Sequence, residues 1–200
     1  AKTTAQGHLA PWFSQFREVF GVPIFATNRV TGDDVDRVRD VLKAYLDNDR
    51  DGQPDNRKVA RELVRNNAGM VMFSNEGEAD KSTFWESREA EKYELFLVNG
   101  DETNVAGRFD ASLEEVLHMI TDSGYGPAYP AAFGAKRQSQ LGRLTSAAIK
   151  RGDFVYDDPS CGFSTCMTQE YFTGQSHHLT DCKRTVARRS PTSGATALLN

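Results

Sequence analysis

Hydrophobic residues recur at helical spacing in two stretches of the first third of the chain. In TGDDVDRVRDVLKAYL, an acidic start is followed by apolar residues on one helical face: Val35, Val38, Val41, Leu42 and Tyr45. In RKVARELVRN, a second apolar side is formed by Val59, Leu63 and Val64. The pattern predicts two amphipathic helices, joined by the polar stretch DNDRDGQPDN.

Three shorter apolar runs predict β-strands. FGVPIFATNRV (residues 20–30) is rich in β-forming residues, and GMVMFS (69–74) and YELFLV (93–98) follow it. The charged stretch KSTFWESREAEKY between the last two runs is predicted to be helical. This mixture predicts an α+β fold, with a small mixed sheet and several packed helices. Residues 1–182 are predicted to form one globular domain, followed by a basic, Ser/Thr/Gly-rich tail over 183–200.

Composition and charge restrict the partners that we expect. The chain has 200 residues, 38% of them hydrophobic, and a net charge of −4, which suits one domain with a substantial core. The apolar runs are far shorter than the roughly 20 residues needed to cross a bilayer, so we expect no membrane span. Because no Lys/Arg stripe is interleaved with aromatic residues, we expect no nucleic-acid partner.

The three cysteines favour an extracellular protein. Cys161 and Cys166 lie five residues apart, and we expect a disulfide between them. Pairing of either one with Cys182, and three reduced thiols, remain alternatives. A disulfide indicates a secreted protein, and AKTTAQGH suits the start of a mature chain. We expect a protein or matrix partner to bind Cys182 or the basic cluster of the tail: Lys183, Arg184, Arg188 and Arg189.

The stretch between the two predicted helices has the spacing of a calcium loop. Four carboxylates occupy loop positions 1, 3, 5 and 9, with Gly52 at position 6 and the backbone carbonyl of Gln53 at position 7: Asp47, Asp49, Asp51 and Asp55. Calcium prefers many hard oxygen ligands, and carboxylates around a tight Gly turn converge on one point. Over about ten residues the loop resembles EF-hand, dockerin and thrombospondin type 3 calcium loops. We therefore expect calcium as a cofactor.

Position 12 of this loop departs from that pattern. Lys58 stands where EF-hand loops have a carboxylate, and Glu62, one turn further on, is a candidate to complete the ligand shell. The alternative interpretation is an acidic, solvated turn that caps the second helix through Asp55 or Asn56.

A second metal site is indicated by the stretch DASLEEVLHMITD. Four-residue spacing stacks Glu114, His118 and Asp122 on one helical face, away from an apolar stripe. The other interpretation is an ordinary amphipathic helix, capped by Asp110 or Ser112, with a solvated histidine.

The stretch EEVLH resembles the H-E-x-x-H helix of gluzincin metallopeptidases, with Glu in place of the first His. That resemblance implies zinc, with Glu114 and His118 as ligands, Glu115 as general base and Glu170 of TQEYF as third ligand. A carboxylate in place of the first imidazole shifts the preference toward harder cations, and loss of peptidase activity is an alternative outcome.

A broader resemblance spans roughly residues 20–172. The order FGVPIFAT, DND.DG, MVMF, EEVLH.IT and YDD, followed by the two cysteines, is similar to a family of uncharacterised, mostly bacterial secreted proteins. Asp122 occupies a position where this resemblance implies a histidine in many relatives. The family implies a coherent site without naming its chemistry.

Two functions follow from these patterns. The first is a secreted calcium-binding protein with a zincin-like metal site that hydrolyses peptide bonds. The second is a non-catalytic extracellular calcium-binding matrix or assembly protein. Their expected geometry differs: in the second, Glu114 and His118 face solvent, more than about 10 Å from Glu170 and far beyond zinc-ligand distances.

Overall fold

A computed structural model describes residues 4–155 and 161–174 of the chain. Its four strands are β1 (Gln15–Val19), β2 (Val22–Ala26), β3 (Ala68–Phe73) and β4 (Glu94–Asn99). Its α-helices are α1 (Thr4–Leu9), α2 (Gly32–Leu46), α3 (Arg57–Arg65), α4 (Glu76–Asp80), α5 (Ala111–Met119), α6 (Gly126–Ala128), α7 (Pro130–Phe133) and α8 (Gln140–Arg151). Residues 168–174 are also helical. The α+β prediction, with a small mixed sheet, is confirmed.

The sheet has the strand order β1-β2-β3-β4. β1 and β2 form an antiparallel hairpin, whereas β2, β3 and β4 run parallel to one another. The hairpin turn consists of Phe20 and Gly21, which both have positive φ, at 51° and 86°. Positive φ at both central residues matches the right-handed twist of the flanking strands, and Gly adopts it without steric cost. All residues of β2 and β3 are buried, as expected for inner strands covered on both faces.

Alternating side chains of the inner strands supply two separate cores. On one face, Ile24 and Met70 join an aliphatic cluster that includes the apolar sides of α2, α3 and α5. On the other face, Phe25 and Phe73 join an aromatic cluster with residues of α1 and the segment after α4. Phe84 from that segment is fully buried. The sheet therefore separates an aliphatic layer, which positions α5, from an aromatic layer.

Helix α5 does not end at Met119 but continues as a π-helical turn over Ile120–Tyr125. Gly124 in this turn lies against α3, where an added Cβ would lie 2.8 Å from Val59 Cγ1. The absence of a side chain at Gly124 allows the turn to approach α3 closely. The π-helical turn thus packs α5 against the same layer as α3.

The predicted helices and strands in the first hundred residues agree with the structure in α2, α3, β2, β3 and β4. The helix predicted over residues 81–93 is wrong. Two 3₁₀ turns, Thr83–Glu86 and Ala90–Lys92, occupy this stretch, and the Ser82 hydroxyl accepts a hydrogen bond from Phe84 N. Short polar side chains that bond locally to the backbone favour turns over long helices.

None of the helices in the described part of the chain combines the length and the apolar character that crossing a bilayer requires.

Two candidate metal centres

Asp110 fixes the start of α5. Its side chain accepts hydrogen bonds from the backbone N and the hydroxyl of Ser112, at 3.1 and 2.6 Å. On its other oxygen it accepts a hydrogen bond from Arg37 Nε of α2, at 2.7 Å. The Tyr45 hydroxyl, also from α2, donates to the carbonyl of Leu113 at 3.1 Å. Of the two predicted caps, Asp110 is the one observed, and α2 anchors the first turn of α5.

Three predicted ligands from two separate segments converge beside α5. His118 Nε2 lies 3.7 Å from Glu114 Oε1 and 3.7 Å from Glu170 Oε1. One ligand atom from each residue lies within 4.8 Å of the other two, so the group can hold a metal ion. His118 is only 7% exposed, which contradicts the interpretation of a solvated histidine. We refer to these three residues as the His118 centre.

Burial and charge shift the pKa values of the titratable groups at this centre. Burial raises the pKa of Glu115 to about 7, although the nearby His118 opposes the shift. Burial alone would lower the pKa of His118, but the pairing with Glu114 and the charges of three neighbouring carboxylates raise it above its usual value. His118 therefore holds its proton more strongly than a free histidine, and the adjacent Glu115 exchanges its proton near neutrality.

Asp122 does not belong to the group of converging ligands. Burial raises its pKa, while a hydrogen bond from the Gln169 side chain and the charge of His118 oppose this shift. Asp122 lies inside the π-helical turn, whose hydrogen bonds span five residues instead of four. The stacking of Asp122 under His118 that regular helical spacing predicts is therefore altered.

A disulfide precedes the segment that supplies Glu170. Cys161 and Cys166 are bonded, with Cα atoms 5.5 Å apart, so the predicted pairing is confirmed. The following helical residues pack through aromatic contacts, among them Phe172 against Phe133 with ring centroids 6.0 Å apart. These contacts place Glu170 opposite α5. Cys182, the basic tail and the last four residues of TQEYFTGQSHH (175–178) lie outside the described residues.

The second centre lies in the predicted calcium loop between α2 and α3. Carboxylate oxygens of Asp47, Asp49 and Asp55 lie within 4.8 Å of one another. Asp47 is 1% exposed, and its Oδ1 is buried without a hydrogen-bond partner among the residues that the structure describes. Gly52 has a φ of 84° and donates its backbone N–H to Asp47 Oδ2 at 3.1 Å. A buried carboxylate oxygen that accepts no hydrogen bond is well suited to a cation ligand. We refer to this group as the Asp47 centre.

Asp51 and Glu62 lie outside this group. Asp51 accepts a hydrogen bond from the backbone N of Gln53 at 2.8 Å, and the side chain of Gln53 accepts one from Arg57. At position 12, Lys58 donates to the carbonyl of Ala128, away from the loop. Glu62, the suggested replacement for that position, lies 3.6 Å from Arg65.

Asn56, not Asp55, caps α3. The Asn56 side chain accepts hydrogen bonds from the backbone N of Lys58 and of Val59, each at 3.2 Å. The carboxylate of Asp55 instead accepts from the backbone N of Asn48 at 2.9 Å, which draws it back toward the start of the loop. Because Asn56 supplies the cap, Asp55 remains free to face Asp47 and Asp49.

Two residues that support the surroundings of the His118 centre could not be predicted from the sequence. Arg37 holds Asp110 across 73 residues, and no local spacing links two residues so far apart. Gln169 contacts Asp122 because the helical segment of Glu170 packs beside the π-helical turn. Only the packing of separate segments brings such partners together.

Comparison with protein family models, with curated proteins and with solved structures found no match for this chain. The resemblances stated from the sequence therefore stay predictions. The fold and the sites define an α+β protein in which two groups of side chains, among the residues that the structure describes, can hold a metal ion.

Replacing Asp110 by Ala is expected to lower the free energy of unfolding by about 1–2 kcal/mol at pH 7, the usual cost of losing a helix cap. Burial would raise the pKa of Asp110, but the hydrogen bonds from Ser112 and Arg37 outweigh it and lower the pKa below 3.8. The stabilisation is therefore fully present above about pH 4 and is lost as the pH falls through the lower, folded-state value.

Denaturant unfolding of both proteins at pH 7 and at acid pH measures this effect. The difference between wild type and the Ala variant should shrink in acid. Asp153→Ala, which removes a carboxylate from an exposed pair with Arg151, is the control and should change stability little. A difference between wild type and Asp110→Ala that is unchanged in acid would contradict the assignment.

Proposed function

We propose that the protein is a metal-dependent hydrolase whose His118 centre acts on peptide-type carbonyl groups. The observation that carries the proposal is the convergence of His118 Nε2 with carboxylate oxygens of Glu114 and Glu170, each at 3.7 Å. Two carboxylates and one buried imidazole, supplied by two segments, form a set of three ligands. Such a set suits a catalytic metal that keeps one position open. The sequence-based alternative required these residues to be far apart and exposed.

The three residues of the His118 centre and the adjacent Glu115 have different roles in this proposal. Glu114, His118 and Glu170 would hold the cation. When bound, a divalent cation supplies a Lewis acid that polarises a carbonyl and makes water a better nucleophile near neutral pH. Glu115 follows the first ligand directly in sequence, and it is the residue that accepts the proton from the attacking water and passes it to the leaving amine.

The ligand set also affects the choice of metal. Two carboxylates and one imidazole make a harder and more negative site than a centre with two imidazoles. Zinc is compatible with this set, and Mn²⁺ is a competitor because carboxylate ligands suit it. Arg37 and Asp110 support the centre indirectly, because they fix the first turn of the helix that carries two of the ligands.

Metal titration of the purified, chelator-treated protein tests the proposal. Calorimetry with Zn²⁺ and Mn²⁺ should detect one site that His118→Ala abolishes and Glu170→Gln weakens by at least about tenfold, because losing even a residue that only supports a metal ligand costs about that much. His8→Ala and Glu86→Gln are matched controls, because both residues are exposed and lie outside the centre. Equal binding by wild type and His118→Ala would refute the assignment of the ligands.

A calcium-binding function is the second candidate, and it rests on the Asp47 centre. We propose that this centre binds calcium, supported by the three converging carboxylates and the unpartnered Oδ1 of Asp47. We also propose that the protein is secreted, since disulfides such as Cys161–Cys166 persist in oxidising compartments. Should the His118 centre bind no metal, an extracellular calcium-binding matrix or assembly component is the function that remains.

A further inference from the structure

A cavity of about 600 Å³ lies at the carboxyl ends of β2 and β3, on the aromatic side of the sheet. In sheets with parallel strands, ligands often bind in crevices outside the carboxyl ends of the strands. The volume falls within the range of about 300–1,000 Å³ that is usual for small-molecule sites. None of the residues of the His118 or Asp47 centres lines it. This cavity is therefore separate from the site of the proposed function.

One wall of the cavity carries a fixed negative charge. Glu78 of α4 accepts a hydrogen bond from the backbone N of Ser74 at 2.7 Å, and its side chain is 17% exposed. Burial would raise the pKa of Glu78, but hydrogen bonding from Ser74 and the charge of Arg29 outweigh this effect and lower the pKa. The carboxylate is thus ionised at neutral pH and has lone pairs left for a further donor.

Two cationic side chains and one partly exposed tryptophan also line the cavity, among neutral residues. Arg29 and Lys81 are both exposed lining residues, and Arg29 Nε lies 4.0 Å from Glu78. An ion pair at that distance with an arginine side chain 72% exposed is weak, so the guanidinium can also engage an incoming anion. Trp12 provides flat apolar surface, and its indole is fixed edge-on to Phe84, with ring centroids 5.6 Å apart.

We propose that this cavity binds a free α-amino acid or dipeptide with an aromatic side chain. The ammonium group of such a ligand matches the Glu78 carboxylate, its carboxylate matches Arg29 and Lys81, and its ring packs on Trp12. A purely anionic ligand would face repulsion from Glu78, and a purely cationic ligand would face repulsion from the two basic residues. A ligand that carries both charges can pair with Glu78 and with the two basic residues at the same time.

Calorimetry with three probes that share one ring tests the charge requirement on the wild-type protein. L-phenylalanine carries both charges, 3-phenylpropanoate lacks the ammonium group, and 2-phenylethylamine lacks the carboxylate. We expect L-phenylalanine to bind at least about tenfold more tightly than either analogue, because each analogue lacks one charge-assisted hydrogen bond. Equal or tighter binding of either analogue, or no binding of any probe at about 10 mM, would overturn the proposal.

Fluorescence and charge variants locate the bound probe. The chain has two tryptophans, so in a Trp85→Phe background Trp12 reports directly on the cavity, and L-phenylalanine should change its emission. Glu78→Gln should remove the preference over 3-phenylpropanoate, and Lys81→Ala should reduce the preference over 2-phenylethylamine. The matched controls are Glu76→Gln on the same short helix and Lys43→Ala on α2, and both should bind as wild type does. A loss that Glu76→Gln reproduces equally would assign the effect to α4 as a whole and contradict the proposal.

Discussion

Glu115→Gln is expected to lower the rate of metal-dependent peptide hydrolysis by about 10²–10⁴-fold, the usual contribution of a general base. The amide is nearly the same size as the carboxylate but cannot accept a proton from water. Glu115 is also not one of the three converging ligands, so its loss should leave metal affinity close to that of wild type. The variant therefore separates catalysis from metal binding.

The measurement uses a mixed library of fluorescence-quenched peptides with protein loaded with one equivalent of Zn²⁺ or Mn²⁺. Glu114→Gln should lower both metal affinity and rate, whereas Glu115→Gln should lower the rate alone. Glu91→Gln, an exposed glutamate outside both centres, should alter neither. An active enzyme that tolerates Glu115→Gln would exclude Glu115 as the base, and a loaded wild-type protein that cleaves no peptide would remove the hydrolase proposal.

Calcium is expected to raise the thermal stability of the protein by several degrees. Without a cation, the carboxylates of Asp47, Asp49 and Asp55 repel one another within a few ångströms. A ligand that binds only the native state at 100 times its Kd adds about 2.7 kcal/mol, as 1 mM calcium would for a Kd of about 10 μM. For a domain of this size, that corresponds to a melting-temperature shift of about 5–10 °C.

Two isosteric variants distinguish the residues of the loop. Asp49→Asn should abolish most of the calcium-dependent shift, because it removes a converging carboxylate. Asp51→Asn changes the net charge equally, but Asp51 lies outside the group and Asn can still accept from the backbone N of Gln53. It should retain most of the shift. If the melting temperature is the same in calcium and in EDTA, residues 47–55 are an acidic turn and the calcium proposal is wrong.

Periodicity in the sequence predicted the elements whose residues are buried on one or both faces. The inner strands β2 and β3 are continuous apolar runs, and α2 has a complete apolar stripe that is buried in the structure. β1 was not predicted, because QFREV carries charges and lies at the edge of the sheet, where only one neighbour pairs with it. The Phe20–Gly21 turn that creates this hairpin is not a standard turn signal.

At the candidate sites, the sequence was a better guide to which residues come together than to their local geometry. Helical spacing identified Glu114 with His118, the resemblance to gluzincins added Glu170, and loop positions identified Asp47 with two other carboxylates. The π-helical turn that displaces Asp122 has no sequence signature, since it depends on how closely Gly124 packs on α3. Similarly, the side chain of Lys58 donates a hydrogen bond to the carbonyl group of Ala128, 70 residues away, and loop spacing cannot reveal such a distant partner.

The contacts of α2 with α5 have a thermodynamic consequence for the two centres. Helix α2 ends immediately before Asp47 and, through Arg37 and Tyr45, holds the first turn of the helix that carries His118. Asp47 is ten positions beyond Arg37, a rise of about 15 Å along the helix axis. Coupling between ions at the two centres would act through α2, and such coupling is reciprocal. If the proposed calcium and zinc ions bind, the factor by which calcium changes zinc affinity equals the factor by which zinc changes calcium affinity.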